Sequence, residues 1–285
     1  MKWQGRRGSS NIEDRRRSTG GGARKAGGIG GIAGVLILLA GLYFGFDTSG
    51  FVDLGGGTEQ QASGGEVTAA DEMAAQFVSV TLADTEEIWA DVFERQVGRA
   101  YNPPTMVLFK GATQSPCGGA SGASGPFYCP GDQKAYLDTE FFVTLENRLG
   151  AGGDFAAAYV VAHEVAHHVQ NELGILSQAN RIRAQVSERE SNEISVRIEL
   201  QADCFSGIWA RLAQEKFNSL ERGDIGEAMN AAAQIGDDTL QRNAGRTVQP
   251  HTFTHGTSEQ RQRWFRTGYE TMQMAACNTF ETNNL

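Results

Sequence analysis

The segment Tyr159–Gln170, YVVAHEVAHHVQ, sets three histidines and one glutamate within six positions of an otherwise apolar run. Titratable side chains in a stretch that reads as core are costly unless something satisfies them. His163, Glu164 and His167 have the spacing H-E-x-x-H. On a helix, positions i and i+4 share a face, so both imidazoles can grip one ion. Glu164 projects about 100° further round, close enough to reach a water on that ion. Ala158, Val161, Ala162, Val165 and Val169 form an apolar stripe on roughly the opposite side. Histidines merely hydrogen-bonded in a core explain one such residue well, but not two at this spacing. His168 lies off the ligand face and is expected to pack.

Zinc held by three protein ligands keeps a fourth position for water. Among the glutamates that follow before position 215, only Glu199 has an aspartate four residues later, in RIELQADCFSG. Glu199 is therefore the expected third ligand. Asp203, one turn on, can accept the free ring N–H of a ligand histidine and fix its tautomer. The chemistry this set would support is hydrolysis, with zinc polarising a carbonyl and Glu164 as general base. The oxyanion needs a second donor. The two histidines outside the motif helix, His251 and His255, both sit in QPHTFTHGTSEQR. His255 is the candidate, with Tyr269 behind it, ahead of a helix that Ser258 could cap. A loop histidine bonded to backbone is the bland alternative.

These residues need helices to carry them. The spacing predicts helices over about 72–99, with a break near Asp84, and over 139–148, 154–172, 187–216, 224–236 and 258–274. PPTMVLF at 103–109 and KAYLD at 134–138 read as strands. KAYLD could bind an extended peptide by edge pairing, or be plain core sheet. The expected class is α+β: mostly helix, with a small sheet before the H-E-x-x-H helix.

Half of the 36 glycines fall in the first 65 residues, so the N-terminal quarter is a different polymer from the rest. Residues 1–25 carry eight Lys/Arg against Glu13 and Asp14. Residues 26–46 form 21 positions without a charge, long enough to cross a bilayer. The expected organisation is a basic cytoplasmic head (1–25), a transmembrane helix (26–46), a flexible linker (47–70) and a metal-bearing domain (71–285), the last outside the cytoplasm. No small-x-small site favours a cleaved signal peptide instead. Glycines four apart, such as Gly27 and Gly31, permit self-association through this helix.

Beyond residue 25 there are 17 Lys/Arg and 32 Asp/Glu, a net of −15, which argues against a nucleic-acid partner. Cys117 and Cys129 bracket a Gly/Ser-rich step that a disulfide would staple in an oxidising compartment. Cys204 and Cys277 would then form the second pair, although four cysteines allow three connectivities. Paired C-x-x-C units for a zinc ribbon are absent from the sequence.

AHEVAHHVQ, ELQADCFSGIW, QIGDD and FTHGTSEQRQRWFRTGY, with the opening MKWQGRRGSSNIEDRR, resemble the neutral zinc metallopeptidase family of bacteria nearly end to end. More distantly, H-E-x-x-H followed by E-x-x-x-D is similar to the gluzincins. The resemblance implies a zincin-like metalloprotease domain behind one membrane anchor in the inner membrane, exported to the periplasm or beyond. It implies one zinc per chain on His163, His167 and Glu199, with Glu164 catalytic and Asp203 behind the ligands. It names no substrate beyond a peptide or protein. A non-catalytic, zinc-stabilised binding or scaffold protein tethered to the membrane is the alternative.

Overall fold

A computed structural model describes residues 1–17, 66–121 and 125–285 of the chain. Its sheet has the order β1-β2-β6-β5, from Ile12–Asp14 (β1), Thr105–Phe109 (β2), Lys134–Asp138 (β6) and Phe127–Cys129 (β5). β1, β2 and β6 run parallel, and β5 is antiparallel to β6. A separate hairpin joins Ala112–Ser115 (β3) to Gly118–Ser121 (β4). KAYLD is therefore an interior strand with both edges paired, the plain core-sheet alternative, and it offers no edge for an extended peptide. The free edge on that side of the sheet belongs to β5.

The first long helix, Ala69–Val92 (α1), opens with a capping box between Thr68 and Asp71. It runs through Asp84 without the expected break. Asp84 is taken up instead by Arg6, whose guanidinium holds both carboxylate oxygens at 2.6 and 2.7 Å. Short helices Phe141–Asn147 (α2) and Ile175–Arg183 (α4) flank Asp154–Glu172 (α3), which carries the histidines. α3 is buried on every side from Phe155 to Gln170, because α1, Glu188–Phe217 (α5), Asp224–Gln234 (α6) and strands β5 and β6 all pack against it. Its apolar residues therefore form a jacket where a stripe was expected. Asp237–Asn243 (α7) and Ser258–Thr271 (α8) complete the order. Thr257, not Ser258, caps α8, in a capping box with Gln260. Ser258 bonds back to Asp238 and the Ala233 carbonyl.

Residues 1–17, expected as a separate head, are built into this domain. β1 adds to the sheet, and Arg16 is buried against Asp14, Glu72 and the Asp71 carbonyl. The Met1 ammonium lies 2.5 Å from Asp154 at the start of α3. Arg17 pairs with Glu72, and Lys110 bonds the Glu66 carbonyl. Both flanks of segment 18–65 thus sit at one corner of the domain. A head held across a bilayer from the domain is incompatible with these contacts, since the hydrocarbon core alone is about 30 Å thick. The proposed transmembrane helix (26–46), its paired glycines and most of the linker lie outside the described residues. Among those described, no helix is long and apolar enough to cross a membrane.

α5 and α8 approach until their backbones touch. A Cβ on Gly207 would lie 2.0 Å from the Phe265 carbonyl oxygen, and one on Gly268 would lie 1.8 Å from that of Cys204. No rotamer can relieve a clash with backbone. Cys204 is also tied to Cys277, just past α8, while Cys117–Cys129 links the start of β4 to the end of β5. Both disulfides are the expected pairs. Gly268→Ala should lower stability by about 1–3 kcal/mol, because overpacking forces backbone shifts. Gly226→Ala, at an exposed α6 position with open space around it, should be neutral or stabilising by about 0.5–1 kcal/mol. Thermal melts of the two variants check this, and equal behaviour would show that the α5–α8 contact is slack.

Candidate metal centre

His163 and His167 project from adjacent turns of α3 toward Glu199 on α5. The His163 Nε2 lies 3.0 Å from Glu199 Oε2, and the His167 Nε2 lies 3.4 Å from Oε1. The two rings are 4.8 Å apart between centroids and nearly perpendicular. In a tetrahedral zinc site with bonds of 2.0–2.1 Å, neighbouring ligand atoms are about 3.4 Å apart. The His167 separation equals that edge, and the His163 separation, at 3.0 Å, is shorter. Two imidazoles and one carboxylate are also a common zinc donor set. The residues fit the ion.

Each imidazole is backed differently at Nδ1. For His163, Asp203 Oδ1 is 2.9 Å away, a short ion-pair contact that is not well aligned as a hydrogen bond. Asp203 is wholly buried and also receives Tyr159 Oη at 2.5 Å and the Arg261 guanidinium at 2.9 and 3.0 Å. For His167, the partner is Gln170 Oε1 at 2.9 Å. The Gln170 amide nitrogen donates to the Ile198 carbonyl and to Gln201 Oε1, and Gln201 in turn donates to the Cys277 carbonyl. That chain ends on two backbone acceptors, so the Gln170 oxygen must accept. His167 therefore carries a proton on Nδ1 and turns its Nε2 toward Glu199.

Burial alone would lower the His163 pKa, but Asp203 and Glu199 outweigh it and raise it to about 10. Burial pushes Glu199 and Asp203 up, yet their cationic neighbours hold both below the usual carboxylate range. For Asp203 the chief of these is Arg261; for Glu199 it is the adjoining imidazoles. Glu164, 7 % exposed, goes the other way: burial raises its pKa despite both histidines. A carboxyl so tuned can hold a proton for part of a reaction.

His255 sits on the loop before α8. Asp237 gathers this loop, taking the backbone N–H groups of Thr254, His255 and Gly256 on Oδ2, with its Oδ1 3.2 Å from His255 Nδ1. Gly256 lies against Val196 and Leu200 on α5, which brings the loop beside Glu199. Charge on His255 and Glu199 is mutually felt. Tyr269 is elsewhere: the Arg211 guanidinium lies over its ring, two helical turns beyond Asp203 on α5, about 12 Å along the axis. The second candidate for the oxyanion donor is thus placed away from Glu199. His168 packs as expected, between Tyr128 Oη and the Asn102 carbonyl. Sequence reasoning missed Tyr159, Gln170, Gln201, Asp237 and Arg261. Tyr159 stands at i−4 from His163 and Gln170 at i+3 from His167, so helical spacing could have found those two. A second acidic group, Asp154, Asp224 and Glu227, already faces the Met1 ammonium.

The free site holds its extra proton on His163, which must leave before Nε2 can bind metal. Zinc uptake at pH 7 should therefore release about one proton, and affinity should rise with pH up to about 10. Calorimetry in two buffers of different ionisation enthalpy measures this. Proton release near zero would contradict the assignment.

The sequence profile of a family described as Putative neutral zinc metallopeptidase matches residues 1–280. The chain is 44% identical to the uncharacterized protein YpfJ of Escherichia coli, over 98% of this chain and 99% of that one. It is 45% identical to the uncharacterized protein Rv2575 of Mycobacterium tuberculosis over 195 residues, 65% of each chain. No solved structure matches. A match from the first residue to 280, with a near full-length relative beside it, shows that the chain belongs to the putative neutral zinc metallopeptidase family.

Proposed function

We propose that this protein is a zinc-dependent peptidase whose metal is held by His163, His167 and Glu199. The observation that carries the reading is the convergence of those three donors within 4.8 Å of one another, with Glu164 buried beside them. Bound there, zinc would supply Lewis acidity toward a water and the scissile carbonyl. Glu164 takes the proton of the attacking water and returns it to the leaving nitrogen, a task its raised pKa suits. His255, held through Nδ1 by Asp237, presents Nε2 to the carbonyl oxygen as charge develops there. Asp203 and Gln170 keep the two ligand rings in register.

A non-catalytic zinc module would need the ligands but not Glu164. Glu164→Gln should retain zinc and fold, because the amide keeps shape and hydrogen bonding. Peptide-library digestion should slow by a factor of about 10²–10⁴. Cleavage at the wild-type rate and equal zinc content would remove Glu164 as base and favour the module.

Membrane attachment through residues 26–46 remains part of the proposal, but not as a single crossing, which would put residues 1–17 and the domain on opposite sides of the bilayer. Two disulfides favour an oxidising compartment for the domain, and residues 1–17 go with it because they are packed into it. Arg7→Cys and Val143→Cys, both at exposed positions, should react alike with a membrane-impermeant maleimide on intact spheroplasts. Labelling of Val143→Cys alone would restore a head on the cytoplasmic side.

A further inference from the structure

We propose that Arg261, outside both motifs, is the positioning residue that sets the metal affinity of this site; this rests on the reading of His163, His167 and Glu199 as zinc ligands. The guanidinium is 1 % exposed and grips Asp203 as a fork, Nε to Oδ2 at 2.9 Å and Nη2 to Oδ1 at 3.0 Å. Two parallel contacts fix the plane of the carboxylate as one could not. Its Nη2 also meets Tyr159 Oη at 3.2 Å, so the tyrosine that donates to Oδ1 is oriented by the same group.

Asp203 Oδ1 is the atom that faces His163 Nδ1. Arg261 therefore decides where that oxygen points, and through it the direction of the imidazole whose Nε2 meets the metal. The contact between His163 and Asp203 is short but off-line, so it does not by itself hold the carboxylate in place. A ligand backed by a fixed carboxylate is oriented before the ion arrives, and loss of such backing commonly costs about 10–100-fold in metal affinity.

The fold is arranged to deliver this one side chain. α8 can bring Arg261 to Asp203 because Gly207 and Gly268 let its backbone touch that of α5. The Thr257–Gln260 capping box fixes where the helix starts. The same start fixes His255, three residues before Ser258. One short segment thus steers a ligand ring from behind and presents His255 in front.

The test is zinc affinity of the purified chain by chelator competition, with the visible spectrum of the Co²⁺-substituted protein as a second readout. Arg261→Met keeps the bulk and removes the fork; it should weaken zinc binding about 10–100-fold and alter the Co²⁺ bands. Arg261→Lys keeps the charge without the bidentate geometry, and should recover part of the loss. Asp203→Asn combined with Arg261→Met should lose no more than the worse single variant, because both act on one contact. A folded Arg261→Met that binds zinc within twofold of wild type overturns the proposal. If that variant does not fold, Arg261→Lys decides: an affinity and spectrum equal to wild type overturn it. Wild-type protein that takes up no zinc would instead remove the underlying metal-site reading, and the proposal with it.

Discussion

Asp203 has no access to water, and the architecture of the domain follows from keeping it charged. An unpaired carboxylate in such a place would cost several kcal/mol. Its partners come from two helices, Tyr159 and His163 from α3 and Arg261 from α8, while Asp203 itself sits on a third, α5. Those helices must meet within hydrogen-bond distance at one point. The glycines at the α5–α8 crossing and the Cys204–Cys277 link serve that meeting. Removing one partner strands the others, so this cluster is held together more by the cost of breaking it than by net gain.

The two ligand histidines are supported by different chemistry. His163 leans on an ionised cluster, while His167 leans on a neutral amide relay that ends on the carbonyls of Ile198 and Cys277. The relay fixes a tautomer by geometry alone and is insensitive to protonation. The ionised cluster adds basicity to the ring it backs. The relay also runs through the Cys277 carbonyl, so the C-terminal disulfide and the metal-facing rings belong to one connected body.

Much of the site could be read from spacing, because helical periodicity is a local property. His163, Glu164 and His167 needed only i and i+4, and Asp203 followed Glu199 by one turn. Helix α3 has the same bounds in sequence and structure, with Gly153 just outside its start. What escaped was non-local. Arg261 contacts a residue 58 positions away, and nothing in EQRQRWF distinguishes it from Arg263 or Arg266 on the same helix. β1 was hidden in a charged segment, since an edge strand three residues long has no hydrophobic alternation to display. The break expected at Asp84 failed for the same reason: an aspartate inside a helix looks like a stop until its distant partner, Arg6, is known. Helices α4 and α7 are only nine and seven residues long, and the β3–β4 hairpin is built from small and polar residues.

Among the described residues β1 pairs with β2 alone, Ile12 opposite Met106, so the earliest-made strand of the sheet waits for one made much later. Closing such a loop costs entropy that grows only with the logarithm of its length, about 0.6 kcal/mol per doubling. Non-local pairing of this kind slows folding. This edge strand of three residues is fastened to α1 by arginine–carboxylate pairs on its flanks and to β2 by its backbone bonds. The N-terminal segment acts as a buckle, joining α1, β2 and the start of α3 at one corner of the domain.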